Sequence, residues 1–175
     1  EVPVISKIFS IFITFFFSKP LVAQLFILYF GLPSVIPALQ DMTAFQATVI
    51  ALSLNTSAFM SENFRAALDS VGHDQIEACY SMAMTKVQTM IRVIIPQSFV
   101  VALPSIGNQF IGIIKGSALG FTVGLTDIMA KAKTEAAVSL RFFEAYLCVT
   151  IIYLIIVVLI EQIQKRVELK VSKLY

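Results

Sequence analysis

The sequence predicts an all-α membrane protein, a helical bundle with about four spans. Hydrophobic residues make up 58% of the 175 residues and charged residues 14%, against roughly 25% charged in soluble domains. The mean hydropathy is +0.86. Long apolar runs separated by short polar breaks indicate helices, because the strands of a membrane barrel alternate about every second residue.

The first two apolar runs predict an elbow. Residues 8–17 and 21–33 are each shorter than the ~20 residues that span a bilayer. We expect an interfacial helix that runs into a spanning helix at Pro20, because proline is accepted in the first turn of a helix. Pro33 and Pro37 should end this span in a loop.

A second span is predicted over residues 44–67. Its first half is apolar, but its second half carries several polar side chains: Asn55, Thr56, Ser57, Ser61, Glu62 and Asn63. Arg65 marks its end as the cytoplasmic one, because cytoplasmic loops carry an excess of Lys and Arg.

Residues 74–96 form a polar segment between apolar runs. Asp74 with Glu77, and Thr85 with Gln88, have the spacing of capping boxes, in which two residues three apart cap a helix start reciprocally. Two helix starts are therefore predicted within this segment.

The two short helices should cover about 75–84 and 86–95, with a turn near residues 83–85 and an end at Pro96. Lys86 and Arg92 place the segment on the cytoplasmic side.

The third span is predicted over residues 97–115, with a kink at Pro104. Glycines then recur every four residues: Gly112, Gly116, Gly120 and Gly124. In a continuous helix they would form a small-residue packing face. The alternative is a broken, re-entrant stretch, since glycine weakens a helix, and the polar centre at residues 115–117 favours the broken form.

The clearest span covers residues 142–160, followed by a basic tail that is expected to be cytoplasmic: Lys165, Arg166, Lys170 and Lys173. Alternation of sides then places residues 127–141, a polar connector, outside. That connector is itself partly basic, which conflicts mildly with an outside position.

Composition and motifs exclude several classes of function. The net charge of +2 is too small to indicate nucleic-acid binding. His73 is interpreted as a solvated loop residue, and Cys79 and Cys148 are expected at different depths rather than paired. The chain has no G-x-x-x-x-G-K-[ST] nucleotide loop and no H-E-x-x-H zinc motif. No metal or cofactor is expected in this chain.

The polar segment resembles the EAA coupling segment of ABC importer permeases. That pattern is Glu-Ala-Ala, three residues, Gly, nine residues, Ile, one residue, Leu-Pro. The chain keeps the frame with Glu77-Ala78-Cys79, Ala83, Val93 and Ile95-Pro96. Ala83 replaces the glycine, and a left-handed turn there would cost alanine roughly 1–2 kcal/mol.

Nearly the whole chain is similar to the polar amino acid branch of these permeases, the histidine, glutamine, arginine and cystine type. Residues 20–33 fit PLLVQLFxxYFGLP, and residues 54–62 fit LNTxAYxxE with Phe59 in place of Tyr. Residues 103–119 fit LPxxGNQFxxxxKxTSL. The resemblance implies a type I ABC importer fold over residues 1–175, with the first family span missing before residue 1.

The resemblance also implies a function. The chain would be a permease subunit that carries polar amino acids across the bacterial cytoplasmic membrane by ATP-driven alternating access, without being an enzyme itself. Coupling helices at about 74–96 would enter a cleft of an ATPase subunit, through Glu77, Ala78, Cys79, Ala83 and Pro96. The implied partners are ATPase subunits holding ATP and magnesium, a second permease chain, an extracytoplasmic amino-acid-binding protein and the lipid bilayer.

Two helix faces are candidates for lining the substrate path, because each repeats the i, i+4, i+7 spacing of one helix face. Charged groups at membrane depth usually face a cavity or a partner. The residues are Asn55, Phe59 and Glu62 on the second span, and Asn108, Gly112 and Lys115 on the third.

An amino acid's ammonium would meet Glu62, and its carboxylate would meet Lys115 or helix-end amides near Ser117. The alternative is that Glu62 pairs with Arg65 at the interface and Lys115 snorkels outward. Asn108 would then hold helices together.

Two other function classes stay open. A membrane enzyme would need a nucleophile, metal ligands or paired carboxylates at one depth, for which the sequence offers little. A channel or structural membrane subunit would use the glycine series at residues 112–124 as its packing face.

Overall fold

The structure, a computed structural model, describes residues 3–172, and every regular element in that range is helical. Two π-helical turns, Ile27–Gly31 and Met90–Ile94, and two 3-10 stretches, Pro37–Leu39 and Ala118–Val123, connect the α-helices. The α-helices are α1 (Pro3–Phe17), α2 (Leu21–Phe26), α3 (Leu32–Val35), α4 (Ala44–Asp69), α5 (His73–Ser81), α6 (Lys86–Thr89), α7 (Ile95–Ser117), α8 (Ile128–Ser139) and α9 (Phe142–Ser172). The predicted all-α class is confirmed.

Among the described residues, two helical stretches are long and apolar enough to cross a membrane, Lys86–Val123 and Phe142–Val171. A third span results if the pair Lys7–Phe17 and Leu21–Val35, bent by 104°, counts as one. Helix α4 has 26 residues, which is long enough, but its polar second half lowers its hydropathy. The predicted fold of membrane helices is therefore confirmed. Of the roughly four predicted spans, two or three meet the length and hydropathy criteria among the described residues.

The predicted elbow lies between α1 and α2, and side-chain hydrogen bonds from α2 and α4 hold it. Gln24, only 6% exposed, donates from Nε2 to the carbonyl of Phe16 at 2.9 Å and to that of Lys19 at 3.3 Å. Asn55 of α4 donates from Nδ2 to the same Phe16 carbonyl at 3.2 Å. These amides satisfy the carbonyl of Phe16 at the end of α1 and that of Lys19 just beyond it, where no helical amide follows to bond them.

Helix α4 packs along α7, and α1 packs on α4. Alanines such as Ala47, Ala51 and Ala58 occupy buried positions of α4. In a lipid environment, small side chains at a helix–helix contact let the two backbones approach closely. Many large apolar side chains stay exposed on the outer helix faces, as expected of surfaces that meet lipid.

The glycine series does not break α7, so the favoured broken form was wrong. The α-helix continues through Gly112 and Gly116 to Ser117, and a 3-10 stretch carries the chain on to Gly124. A Cβ at Gly116 would lie 3.1 Å from Leu52 Cδ2, and one at Gly120 would lie 3.0 Å from Thr48 Oγ1. Close packing on α4 therefore explains these glycines, and Gly124, with φ +89°, ends the helix.

Residues 128–139, predicted as a polar connector, form helix α8 instead. The carboxylate of Asp127 accepts a hydrogen bond from the amide of Ala130 at 2.7 Å, and the following alanines, lysines and glutamate are strong helix formers. Helix α8 packs against α9.

Helix α9 runs without interruption from Phe142 to Ser172, so the predicted tail continues the spanning helix as far as the described residues reach, and Lys173 lies outside them. Its 31 residues give a length of about 46 Å at 1.5 Å per residue. Since the hydrocarbon core is ~30 Å thick, the basic end of α9 projects beyond it.

Candidate functional site

Helix α5 begins earlier than the sequence predicted. Gly72 is its N-cap, and no side chain among residues 3–172 caps this end. The predicted Asp74–Glu77 capping box is therefore wrong, because the helix starts ahead of Asp74. Asp74 instead lies in the first turn, where its negative charge interacts favourably with the positive end of the helix dipole.

Helix α5 ends in a Schellman motif built around Ala83. The amide of Met84 donates to the carbonyl of Cys79 at 3.1 Å, and the amide of Ala83 donates to that of Tyr80 at 2.9 Å. Ala83 has φ +58°, the left-handed conformation that glycine adopts at low cost. The turn predicted near residues 83–85 is confirmed, and the residue in the strained left-handed conformation is an alanine.

The side chains around this turn form an exposed apolar surface next to a carboxylate. Glu77 and Ala78 are exposed, whereas Cys79 is buried and anchors the helix. Met82 is 78% exposed and Val87 66% exposed. We call Glu77, Ala78, Tyr80, Met82 and Val87 the turn surface. Exposed apolar groups beside a charge are typical of a protein-docking surface.

The second predicted capping box is confirmed at the start of α6. The amide of Thr85 donates to Gln88 Oε1 at 2.9 Å, and the amide of Gln88 donates to Thr85 Oγ1 at 3.3 Å. Both partners lie within four residues, so the sequence alone specifies this start.

Pro96 does not end the second helix, which corrects the prediction of a helix ending near residue 95. The π-helical turn Met90–Ile94 joins α6 to α7, and Pro96 lies in the first turn of α7. Proline has no backbone amide to donate to the preceding turn of a regular helix. The π-helical turn just before Pro96 shifts the hydrogen-bond register, so the helix continues past the proline. The Lys86–Val123 stretch is thereby continuous.

A side-chain hydrogen bond ties α5 directly to α7. Gln97 donates from Nε2 to Gln75 Oε1 at 2.7 Å, across 22 positions of sequence. Sequence reasoning missed this contact, since no local pattern relates the two glutamines. It gives α5 an attachment to the long helix besides the covalent turn at residues 82–85.

The predicted face of α4 lies against α1. Asn55 binds the Phe16 carbonyl, and the rings of Phe59 and Phe17 have centroids 4.5 Å apart. These two side chains therefore hold α1 onto α4. The buried Gln24, which shares the Phe16 carbonyl, was missed by the sequence analysis.

Glu62 forms the ion pair that the alternative interpretation expected. Arg65 donates from Nε to Glu62 Oε2 at 3.1 Å and from Nη2 to Glu62 Oε1 at 2.5 Å, and from Nη1 to Asp69 at 2.8 Å. Glu62 and Arg65 line a cavity of about 500 Å³ between α1 and α4, together with Ser10 and Thr14. The cavity thus presents a carboxylate, a guanidinium and hydroxyl groups.

The α7 residues predicted to face the path are separate from this cavity. Asn108 and Lys115 are exposed, and Ser117, half-buried, donates to the carbonyl of Ile114 at 2.8 Å. Within the described range, none of them lines the cavity that holds Glu62. The structure brings the α4 face together with α1 and leaves the α7 face open.

Comparisons with known proteins agree with this architecture. A family model described as binding-protein-dependent transport system inner membrane component matches residues 2–173. The probable amino-acid ABC transporter permease protein PatM of Vibrio harveyi is 46% identical over 175 residues, covering 100% of this chain and 78% of PatM. The probable amino-acid permease protein YxeN of Bacillus subtilis is 41% identical over the same length, with 100% and 78% covered.

Solved structures share the fold. A crystal structure of an amino acid ABC transporter with histidines superposes with a TM-score of 0.89 at 32% identity, covering 97% of this chain and 78% of the other. An inward-facing structure of the MetNI methionine ABC transporter superposes with a TM-score of 0.75 at 21% identity, covering 97% and 74%. The second likeness is one of fold alone.

Proposed function

This chain belongs to the family of binding-protein-dependent transport system inner membrane components, and on that premise we propose that it is the permease subunit of an ABC importer for amino acids. One observation carries the proposal: relatives described as amino-acid permeases align over the full length of the chain, at 46% and 41% identity. Polar amino acids are the proposed substrate class, and the bacterial cytoplasmic membrane is the proposed location.

The turn surface is proposed to dock into a separate ATPase subunit, which would hold the ATP and magnesium. Glu77 is exposed beside Ala78, so a charge and a small side chain are both available to a groove. Ala83 shapes the turn, while Cys79 anchors it and Pro96 begins the long helix that follows. These features support a coupling role for the segment 74–96.

Movement of α5 would reach two long helices. Residues 70–72 connect α5 to α4, and the continuous stretch Lys86–Val123 follows the turn on its other side. The Gln75–Gln97 hydrogen bond adds a direct attachment to α7. ATP-driven closure of the ATPase subunits would thus tilt both helices, which is how alternating access would proceed.

The substrate path is proposed to involve the polar faces of α4 and α7. The cavity beside Glu62 and Arg65 offers groups of both charges, which suit the ammonium and carboxylate of an amino acid. Asn55 and Phe59 would shape this cavity by holding α1. Asn108, Lys115 and Ser117 lie on α7 outside this cavity, and they would line a separate stretch of the path.

The importer would contain further chains. A second permease chain, identical or related, would complete the path, and an extracytoplasmic binding protein would deliver the amino acid. The exposed apolar faces of α7 and α9 are available to lipid or to another membrane chain.

The proposal is tested by co-expression of the full-length chain with an ATPase and a binding protein encoded beside its gene. Co-purification with the ATPase and ATP-dependent uptake of a labelled amino acid, from a panel of cationic, amide, acidic and sulfur-containing ones, are expected. Association with no ATPase and uptake of no amino acid would refute it.

A further inference from the structure

A groove runs between α7 and α9, away from the turn surface and from the cavity beside Glu62. It consists of two adjacent cavities of about 500 and 350 Å³ that share Leu103. Helices α7 and α9 pack against each other here, and the hydrogen bond from Gln164 Nε2 to the Pro104 carbonyl, 3.1 Å long, joins them. We call this feature the α7–α9 groove.

The two ends of the groove differ in chemistry. The first cavity is lined by Lys165 and Glu168, so it presents one positive and one negative group. The second cavity is lined mainly by apolar side chains, including Phe110, Ile160 and Ile163. Since the basic end of α9 projects beyond the hydrocarbon core, we place the charged cavity at head-group level and the apolar cavity, whose lining extends back to Phe110 and Ile160, at the adjoining end of the acyl chains.

Gln164 contributes an acceptor that lacks a donor. Its side chain crosses α7 at Gly107, where a Cβ would collide with it. Its Nε2 donates to Pro104 and, at 2.7 Å, to Glu168 Oε1, but its Oε1 is buried with no donor among the described residues. A buried acceptor without a donor costs free energy, and because protein encloses this oxygen no ligand reaches it. What Gln164 offers a ligand is the position of the Glu168 carboxylate, which it holds at the wall of the first cavity.

We infer that the α7–α9 groove binds a phospholipid whose head group carries both a phosphate and a primary ammonium, that is, phosphatidylethanolamine. Lys165 pairs with the phosphate, Glu168 pairs with the ammonium, and an acyl chain fills the apolar cavity. Phosphatidylglycerol has no ammonium to pair with Glu168, and the quaternary ammonium of phosphatidylcholine has no N–H donor for that carboxylate. This inference does not depend on the proposed transport role.

The test uses the full-length chain with its partner subunits in nanodiscs of equal parts phosphatidylethanolamine, phosphatidylglycerol and phosphatidylcholine. Native mass spectrometry counts the lipid species that stay bound as activation energy rises. Phosphatidylethanolamine should be retained preferentially. Lys165→Gln and Glu168→Gln should each lower that preference by roughly tenfold, the equivalent of one charge-assisted hydrogen bond. The control Lys170→Gln, on the same helix but outside the groove, should leave it unchanged.

A second pair of variants tests the apolar end. Ile106→Trp fills the second cavity and should lower retention of phosphatidylethanolamine, whereas Phe99→Trp, at an exposed position of α7 outside the groove, should not. Equal retention of all three lipids would overturn the inference. Efficient formation of disulfide-linked dimers by Leu103→Cys and Val167→Cys variants in native membranes would also overturn the inference, because a second copy of the chain would then fill the groove.

Discussion

Replacing Ala83 with glycine should stabilise the turn between α5 and α6. Ala83 has φ +58°, and this left-handed conformation costs an L-residue about 1–2 kcal/mol. Glycine avoids that cost but loses more conformational entropy on folding, about 0.5–1 kcal/mol. Near the middle of the two ranges the difference is a net gain of about 0.5–1 kcal/mol, without any new contact.

Hydrogen exchange of the Met84 amide is a direct assay, because this amide closes the Schellman motif on Cys79. A gain of that size should raise its protection by roughly two- to fivefold, measured on the full chain in detergent or nanodiscs. Ala78→Gly is the matched control. Ala78 is also exposed but lies inside α5, so glycine there should lower protection, by about 0.5–1 kcal/mol.

Protection that falls in Ala83→Gly, to the extent seen in Ala78→Gly, would refute the reasoning. It would mean that position 83 is helical rather than left-handed in solution. A β-branched residue sharpens the comparison, since Ala83→Val should weaken the turn further.

Three further outcomes are expected. Asn55→Leu leaves the Phe16 carbonyl with one donor fewer, so the free energy of unfolding in mixed micelles should fall by about 0.5–1.5 kcal/mol; an unchanged value would mean that α1 is held without Asn55. Gly120→Val should destabilise the chain by about 1–3 kcal/mol in the same assay, because its side chain meets Thr48, whereas Gly112→Ala, with open space around it, should not destabilise. Glu62→Gln should raise the KM of uptake without loss of ATPase association if Glu62 contacts the substrate, and unchanged uptake kinetics would assign it to the Arg65 pair alone.

Two local signals predict the structure correctly, whereas a third, the Asp74–Glu77 capping box, does not. The Thr85–Gln88 capping box has both partners within one helical turn, and the break at Pro20 follows from the ring of proline itself. Both features depend on neighbours in the chain, so tertiary packing had little power to override them.

Features that depend on distant partners could not be predicted in the same way. From the sequence alone, Gly116 and Gly120 suggest a broken helix. The structure shows that α4 packs against both positions. The contact between Asn55 and Phe16 joins residues 39 positions apart, and no periodicity reveals it. Pro96 looked like a helix end because a π-helical turn has no recognisable sequence pattern.

We propose that the segment around Glu77 couples this chain to an ATPase. The most direct test of this proposal is ATP-dependent uptake of the labelled substrate in proteoliposomes, comparing the intact chain with Glu77→Lys. Reversal of an exposed charge on the turn surface should abolish ATPase association and uptake together while the chain stays folded and membrane-inserted. Uptake that persists at the rate of the unsubstituted chain would contradict the account.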